Sequence, residues 1–209
     1  NLKFHNYDTN KTTKFLVNDF NWKYKNIGFA SGLKGKILGK FKNVNYETKN
    51  VDGYKNEPVN EIFGAVGYLS EIDLFKSTSK NYDHLLTPKM MVRYAPGHMR
   101  KQENGARINH LNIFSLDRLN TYNNFESGLS TTLGFDYSLE NTINKFDFSL
   151  GQIFNDKENK DMPSSSSLDE KASDVIGKAN FDIKDKVSLS YNFALDQNYK
   201  DFNYNEFAS

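Results

Sequence analysis

Cysteine is absent from all 209 residues, so neither a disulfide framework nor a thiolate metal site can hold this chain. No apolar run approaches the ~18–20 residues of a membrane helix. Charge of one sign is lacking too: 27 basic against 26 acidic residues leave +1. That balance argues against a nucleic-acid partner, whose binding leans on a basic surface. A basic-then-apolar leader is also missing before Asn1, as is a start Met, which suggests a piece cut from a longer chain. The mean hydropathy of −0.71 would ordinarily point to a soluble or partly disordered protein. Yet 17 Phe, 12 Tyr and one Trp are too many for a solvated tail.

What is present is a two-residue rhythm. Phe125, Leu129, Leu133, Phe135, Tyr137 and Leu139 share one parity, while Glu126, Gly128, Ser130, Thr132, Gly134, Asp136 and Ser138 share the other. Side chains alternate across a strand, so such a stretch has one apolar and one polar face. Similar segments follow Leu16–Phe20–Trp22–Tyr24, Phe29–Leu33–Ile37–Phe41, His84–Leu86–Met90–Val92–Tyr94, Phe146–Phe148–Leu150–Phe154, Val175–Ala179–Phe181–Ile183 and Val187–Leu189–Tyr191–Phe193. The segment Ile62–Leu74 alternates less cleanly, because Phe63 and Leu69 fall on the other parity. No stretch offers a helical stripe. Long two-faced strands suit a membrane barrel, with lipid outside and water within, and the same alternation explains the low mean hydropathy.

Connection lengths set the topology. Short links are expected at Lys25–Asn26, Glu140–Thr142 and Lys184–Lys186, with a medium one at Lys76–Tyr82. Long polar stretches lie at Asn45–Glu57, Pro96–Tyr122 and Asn155–Ser173, and two shorter outer links near Thr9 and Gln197. Barrels of the outer membrane have short turns at one end and long loops at the other. Reading Pro96–Tyr122 as one structured outer loop keeps the alternation and leaves about ten strands. The expected fold is all-β: an antiparallel transmembrane β-barrel segment, with residues 1–209 part of one larger barrel domain, since long apolar edges are rarely left unpaired.

Asn112-Ile113-Phe114-Ser115-Leu116-Asp117-Arg118-Leu119, followed by Glu126-Ser127-Gly128 and Gly134, resembles a signature of the LPS-assembly protein LptD family, also called organic solvent tolerance protein. Leu86-Thr87-Pro88-Lys89 with Arg93-Tyr94-Ala95-Pro96-Gly97, and Leu150-Gly151-Gln152-Ile153-Phe154, are similar to flanking strands of that family. The likeness covers roughly 85–206; residues 1–82 fit as generic barrel strands. Asn120-Thr121 and Asn123-Asn124 depart from the family pattern. The resemblance implies a barrel of the bacterial outer membrane that inserts lipopolysaccharide into the outer leaflet, without enzymatic activity or cofactor. It implies a plug lipoprotein of the LptE type and a periplasmic lipopolysaccharide bridge as partners. The family's N-terminal jellyroll, its gate strands and its cysteines are not identified in this segment.

Candidate site residues follow from both readings. Lys34, Lys36, Lys40 and Lys42 share the polar phase of one strand and are expected to face the lumen, where they could attract acidic sugars and phosphates; a solvated face is the plainer reading. Asn112, Phe114, Asp117, Arg118, Glu126 and Gly128 are expected to be structural loop residues, with Asp117 and Arg118 pairing to pin the loop. Trp22, Tyr24, Phe29 and Phe41 suit an interfacial aromatic girdle. His110, Ser115 and Asp117 lack the surroundings of a catalytic triad. Asp156, Glu158 and Asp161 lack calcium-loop spacing, and His5, His84, His98 and His110 lack metal spacing, so no catalytic or metal site is assigned. Two rivals stand beside this reading: a general outer-membrane porin and a soluble sugar-binding β-sandwich.

Overall fold

The computed structural model describes residues 1–7, 10–28, 32–78, 81–184 and 186–209. Eleven strands form one antiparallel sheet: β1 (Leu2–Tyr7), β2 (Lys11–Gly28), β3 (Leu33–Lys49), β4 (Val59–Ile72), β5 (Leu74–Ser77), β6 (Asp83–Ala95), β7 (Gly128–Glu140), β8 (Asn144–Asn155), β9 (Val175–Ile183), β10 (Val187–Leu195) and β11 (Phe202–Ala208). Except for β4 and β5, which both pair with β6, each strand pairs with its sequence neighbours, so the order is a plain meander with β1 and β11 as edges. β4 and β5 are one stave interrupted at Asp73, because Glu71↔Lys89 and Leu74↔Leu86 keep the same register on β6. The sheet thus has ten staves and is not closed: β1 and β11 do not pair with each other.

Link lengths alternate along the meander. The β2–β3, β5–β6, β7–β8 and β9–β10 connections are short and share one end of the sheet; the others, among them the described loops 50–58, 96–127, 156–174 and 196–201, share the opposite end. Among the described residues the helical content is a single 3₁₀ turn, Ser164–Ser166, and no helix is long and apolar enough to cross a membrane.

Cross-strand register carries one parity of every strand onto one face. Trp22 sits opposite Gly39, Phe20 opposite Phe41, Tyr68 opposite Val92, Phe135 opposite Pro88 and Leu150, and Tyr191 opposite Ala179. On this outer face Phe20, Trp22, Tyr24, Ile62, Met90, Leu133 and Val187 stand exposed, without any element over them. Trp22 lies across Gly39, where a Cβ would strike its indole ring, so the glycine is the seat of the aromatic. The opposite parity makes an inner face, and both buried clusters lie there, between sheet and long loops.

Four expectations change. The turn placed at Lys25–Asn26 is a register shift within β2, which continues to Gly28. The stretch 45–49 is strand rather than loop. At this end of β3 the apolar residues Val44 and Tyr46 share the parity of the lysines, so the pattern inverts there, and the long loops bury both. Phe125 does not begin β7. It belongs to the preceding loop and is buried on the inner side, because Gly128 at φ 112° breaks the extended run. Asp117 and Arg118 do not pair with each other; each takes separate partners, described below. The expectations that fall on Phe29 and Thr9 lie outside the described residues.

Candidate functional site

The 96–127 loop crosses the inner face, bounded by two glycines of positive φ, Gly97 (99°) and Gly128 (112°). An irregular segment laid on a sheet must find partners for its own peptide groups. Here the wall supplies cations. Arg93 of β6 donates through Nε to the Leu116 carbonyl at 2.7 Å and through Nη2 to the Glu126 carbonyl at 2.5 Å. Lys42 of β3 donates to the carbonyls of Thr121 and Asn124. Both side chains are almost wholly buried, at 1% exposure each.

Two carboxylates of the loop complete the cluster. Asp117 Oδ2 lies 2.8 Å from Lys40 Nζ and 3.1 Å from Lys42 Nζ. Glu126 accepts both arms of the Arg118 fork, and Arg118 Nη2 also donates to Ser130 Oγ of β7 at 2.9 Å. Arg93 Nη1 stands 3.6 Å from the same Glu126 carboxylate. Four cations (Lys40, Lys42, Arg93, Arg118) therefore surround two carboxylates, and the loop carbonyls offset the excess positive charge. Isolated surface pairs contribute only ~0–1 kcal/mol, but removing one member of a buried pair costs about 3–5 kcal/mol. The cluster is of the second kind.

Packing is as specific as the charge. The loop's Ile113, Phe114 and Leu116 each sit where the wall has a glycine. A Cβ on Gly151 would meet Ile113 Cδ1 at 2.9 Å, one on Gly134 the Phe114 ring at 3.0 Å, and one on Gly67 Leu116 Cδ2 at 2.7 Å. Gly134 and Gly151 are cross-strand partners, so two slots adjoin. Asn112 closes the turn before this triplet, accepting from the Asn109 amide at 2.8 Å. Ser115 Oγ accepts from the Asp117 amide at 3.3 Å; its role is that of a turn. The 156–174 loop packs beside it, with Met162 and Leu168 joining Met99, Ile108, Ile113 and Leu119 in one buried cluster.

Toward the short-turn end the inner face is polar and ion-paired. Lys34 meets Asp73 at 2.5 Å, Lys36 meets Glu71, and Lys89 meets Asp136. The four lysines singled out from the sequence thus share the inner face but divide in two: Lys40 and Lys42 hold the loop, while Lys34 and Lys36 pair along the wall. Arg93, Arg100 and the three slot glycines escaped sequence reasoning as site residues. Arg93 could have been found as a cation on the polar parity beside the family-like motif; the glycines carry no signal without register. Arg100 lies over the rings of Tyr46, Tyr54 and Phe63 and pairs with Glu61, fixing the start of the loop.

Burial pushes the Glu126 carboxyl upward, but the guanidinium groups of Arg118 and Arg93 pull it further down, so it ends below the ordinary carboxylate range. A carboxylate depressed by folding stabilises above its unfolded pKa, and that stabilisation fades as pH falls through the lower folded value. The docked loop should therefore hold through pH 5 and loosen only in acid below roughly 4.3, the ordinary glutamate value. Limited proteolysis of the loop across pH, with an acid-active protease, checks this. Release already between pH 5 and 6 would contradict it.

The family model LptD, LPS transport system D, matches residues 8–208 of this chain. No curated protein matches it.

Proposed function

Because this chain belongs to the LptD family, LPS transport system D, we propose that it is wall and internal cap of the outer-membrane channel that delivers lipopolysaccharide to the outer leaflet. The family acts in lipopolysaccharide transport and assembly at the outer membrane and has a β-barrel fold. The observation that carries the finer reading is the division of the sheet's two faces. One parity is bare and aromatic-rich, as acyl chains require, and the other is lined with ion pairs and partly stopped by the chain's own loop. A polar, hydrated inner wall accommodates sugars and phosphates, while the apolar exterior accommodates lipid. Nothing in this division requires a chemical step, so transport rests on shape and charge, with energy supplied by partners. By family membership those partners are a plug lipoprotein and a periplasmic bridge. Residues 1–209 are, in this proposal, one contiguous run of staves of a wider barrel, the long loops lying at the cell exterior.

Site-specific photo-crosslinking in living cells tests the proposal. A photoreactive residue in place of Lys36 or Lys89, on the open part of the inner face, should capture lipopolysaccharide. The same residue in place of Tyr24, on the outer face near the short turns, should capture phospholipid instead. Transport-competent protein giving no lipopolysaccharide adduct from either inner position would sink the reading.

A further inference from the structure

A second feature of the inner face lies away from the cationic cluster. The loop segment 107–111 passes over β9, β10 and β11 and leaves a cavity of about 380 Å³ between itself and the wall. That volume falls within the ~300–1,000 Å³ of small-molecule sites. Its floor is apolar and rigid, formed by the buried side chains of Ile108, Ile176 and Ala194. Its side is polar: Glu206 Oε2 accepts from Tyr204 Oη at 2.8 Å and from Asn192 Nδ2 at 3.3 Å. Asn192 Oδ1 is buried and has no hydrogen-bond partner. A buried acceptor left unmet is unfavourable, and rotation of the Asn192 amide toward the cavity that it lines would let a donor there relieve it.

We propose that this cavity is a binding site for an uncharged, hydroxyl-rich sugar unit, with Asn192 and Glu206 accepting from its hydroxyls and the apolar floor receiving its C–H face. Charge selects against a phosphate. The cation lining the cavity, Arg107, is already paired with Asp174 at 3.0 Å, and Glu206 adds a negative charge. His110 at the rim is held below its ordinary range by burial and by Lys178, which favours the neutral imidazole near pH 7. Hydroxyl donors meeting amide and carboxylate acceptors above an apolar floor is the chemistry of saccharide recognition, distinct from the anion-seeking chemistry of Lys40, Lys42 and Arg93. The inference rests on the lipopolysaccharide reading and specifies which part of that ligand this end of the wall holds: a neutral stretch of its glycan.

The test is calorimetric titration of the full-length protein in detergent with lipid-free core oligosaccharide, dephosphorylated in one arm and phosphorylated in the other. Saturable binding of the dephosphorylated form is expected. Asn192→Ala should weaken it roughly tenfold, the equivalent of one lost hydrogen bond. Glu206→Gln, isosteric and on the edge strand, should weaken it less and preserves the fold if the alanine variant does not. Absence of binding by the dephosphorylated form, unchanged affinity in both variants, or displacement by inorganic phosphate would each overturn the site. Capture of lipopolysaccharide at Lys36 is independent of this cavity, so failure here leaves the transport reading standing, and failure of both removes it.

Discussion

Replacing Arg118 by alanine should free the 96–127 loop from the wall while leaving the meander intact. Arg118 is wholly buried, at 0% exposure, and among the described residues its fork alone reaches both Glu126 oxygens closely, with Arg93 Nη1 standing off at 3.6 Å. Its loss strands a buried carboxylate beneath the loop, a change that costs about 3–5 kcal/mol. A docked surface loop has little more than that to spend before local opening. Cleavage at Lys101 and Arg107 by trypsin, on folded protein in detergent, should accelerate by orders of magnitude, with far-UV dichroism unchanged. Arg118→Lys should rescue poorly, because a point-charge ammonium cannot span both oxygens and Ser130 at once. Equal protease protection in Arg118→Ala and the parent would show that packing alone holds the loop.

Filling the glycine slots should have the second largest effect, and the three slots should answer differently to compensation. Gly151→Ala and Gly67→Ala press chiefly on the flexible ends of Ile113 and Leu116, with the nearest carbonyls, of Leu133 and Val92, at 3.4 and 3.3 Å. Overpacking of this kind costs about 1–3 kcal/mol. Shortening the opposing side chain, as in Gly151→Ala with Ile113→Ala, should recover much of it. Gly134→Ala presses on the Leu150 carbonyl as well as on the Phe114 ring, and a carbonyl cannot be shortened. Phe114→Ala should therefore fail to rescue Gly134→Ala. Denaturant or thermal midpoints of single and double variants, arranged as mutant cycles, measure the difference. Full rescue at Gly134 would mean that the wall itself yields, and that the loop alone sets the fit.

The outer face was legible in the sequence because nothing covers it. Leu16, Phe20, Trp22, Leu133, Phe135 and Phe181 answer only to alternation, and alternation is local. Link lengths were legible for the same reason, within a few residues at each end. The inner face was not. Where a loop lies against it the polar phase becomes apolar, so Phe15, Val17, Val44, Tyr46, Phe63 and Ile153 break the rhythm, and a reader of period 2 loses the strand end at 45–49 or sees Ile62–Leu74 as irregular. Those irregularities are the footprint of the docked loops. The Asp117–Arg118 pairing failed because adjacent residues in a turn point apart; Asp117 reaches β3, 75 residues earlier in sequence, and Arg118 reaches Glu126. The family-like motif drew attention to the right loop residues, but their partners on the wall emerge only from register.

Trp22, the single tryptophan, stands on the outer face at 55% exposure, and gives the most direct measurement of what surrounds that face. In the full barrel reconstituted into bilayers, with any tryptophan outside residues 1–209 replaced by phenylalanine, phospholipids brominated along the acyl chain should quench its fluorescence strongly, and aqueous iodide should do so weakly. Strong quenching by iodide with indifference to brominated chains would place the aromatic face in water, and the membrane wall described here would not exist.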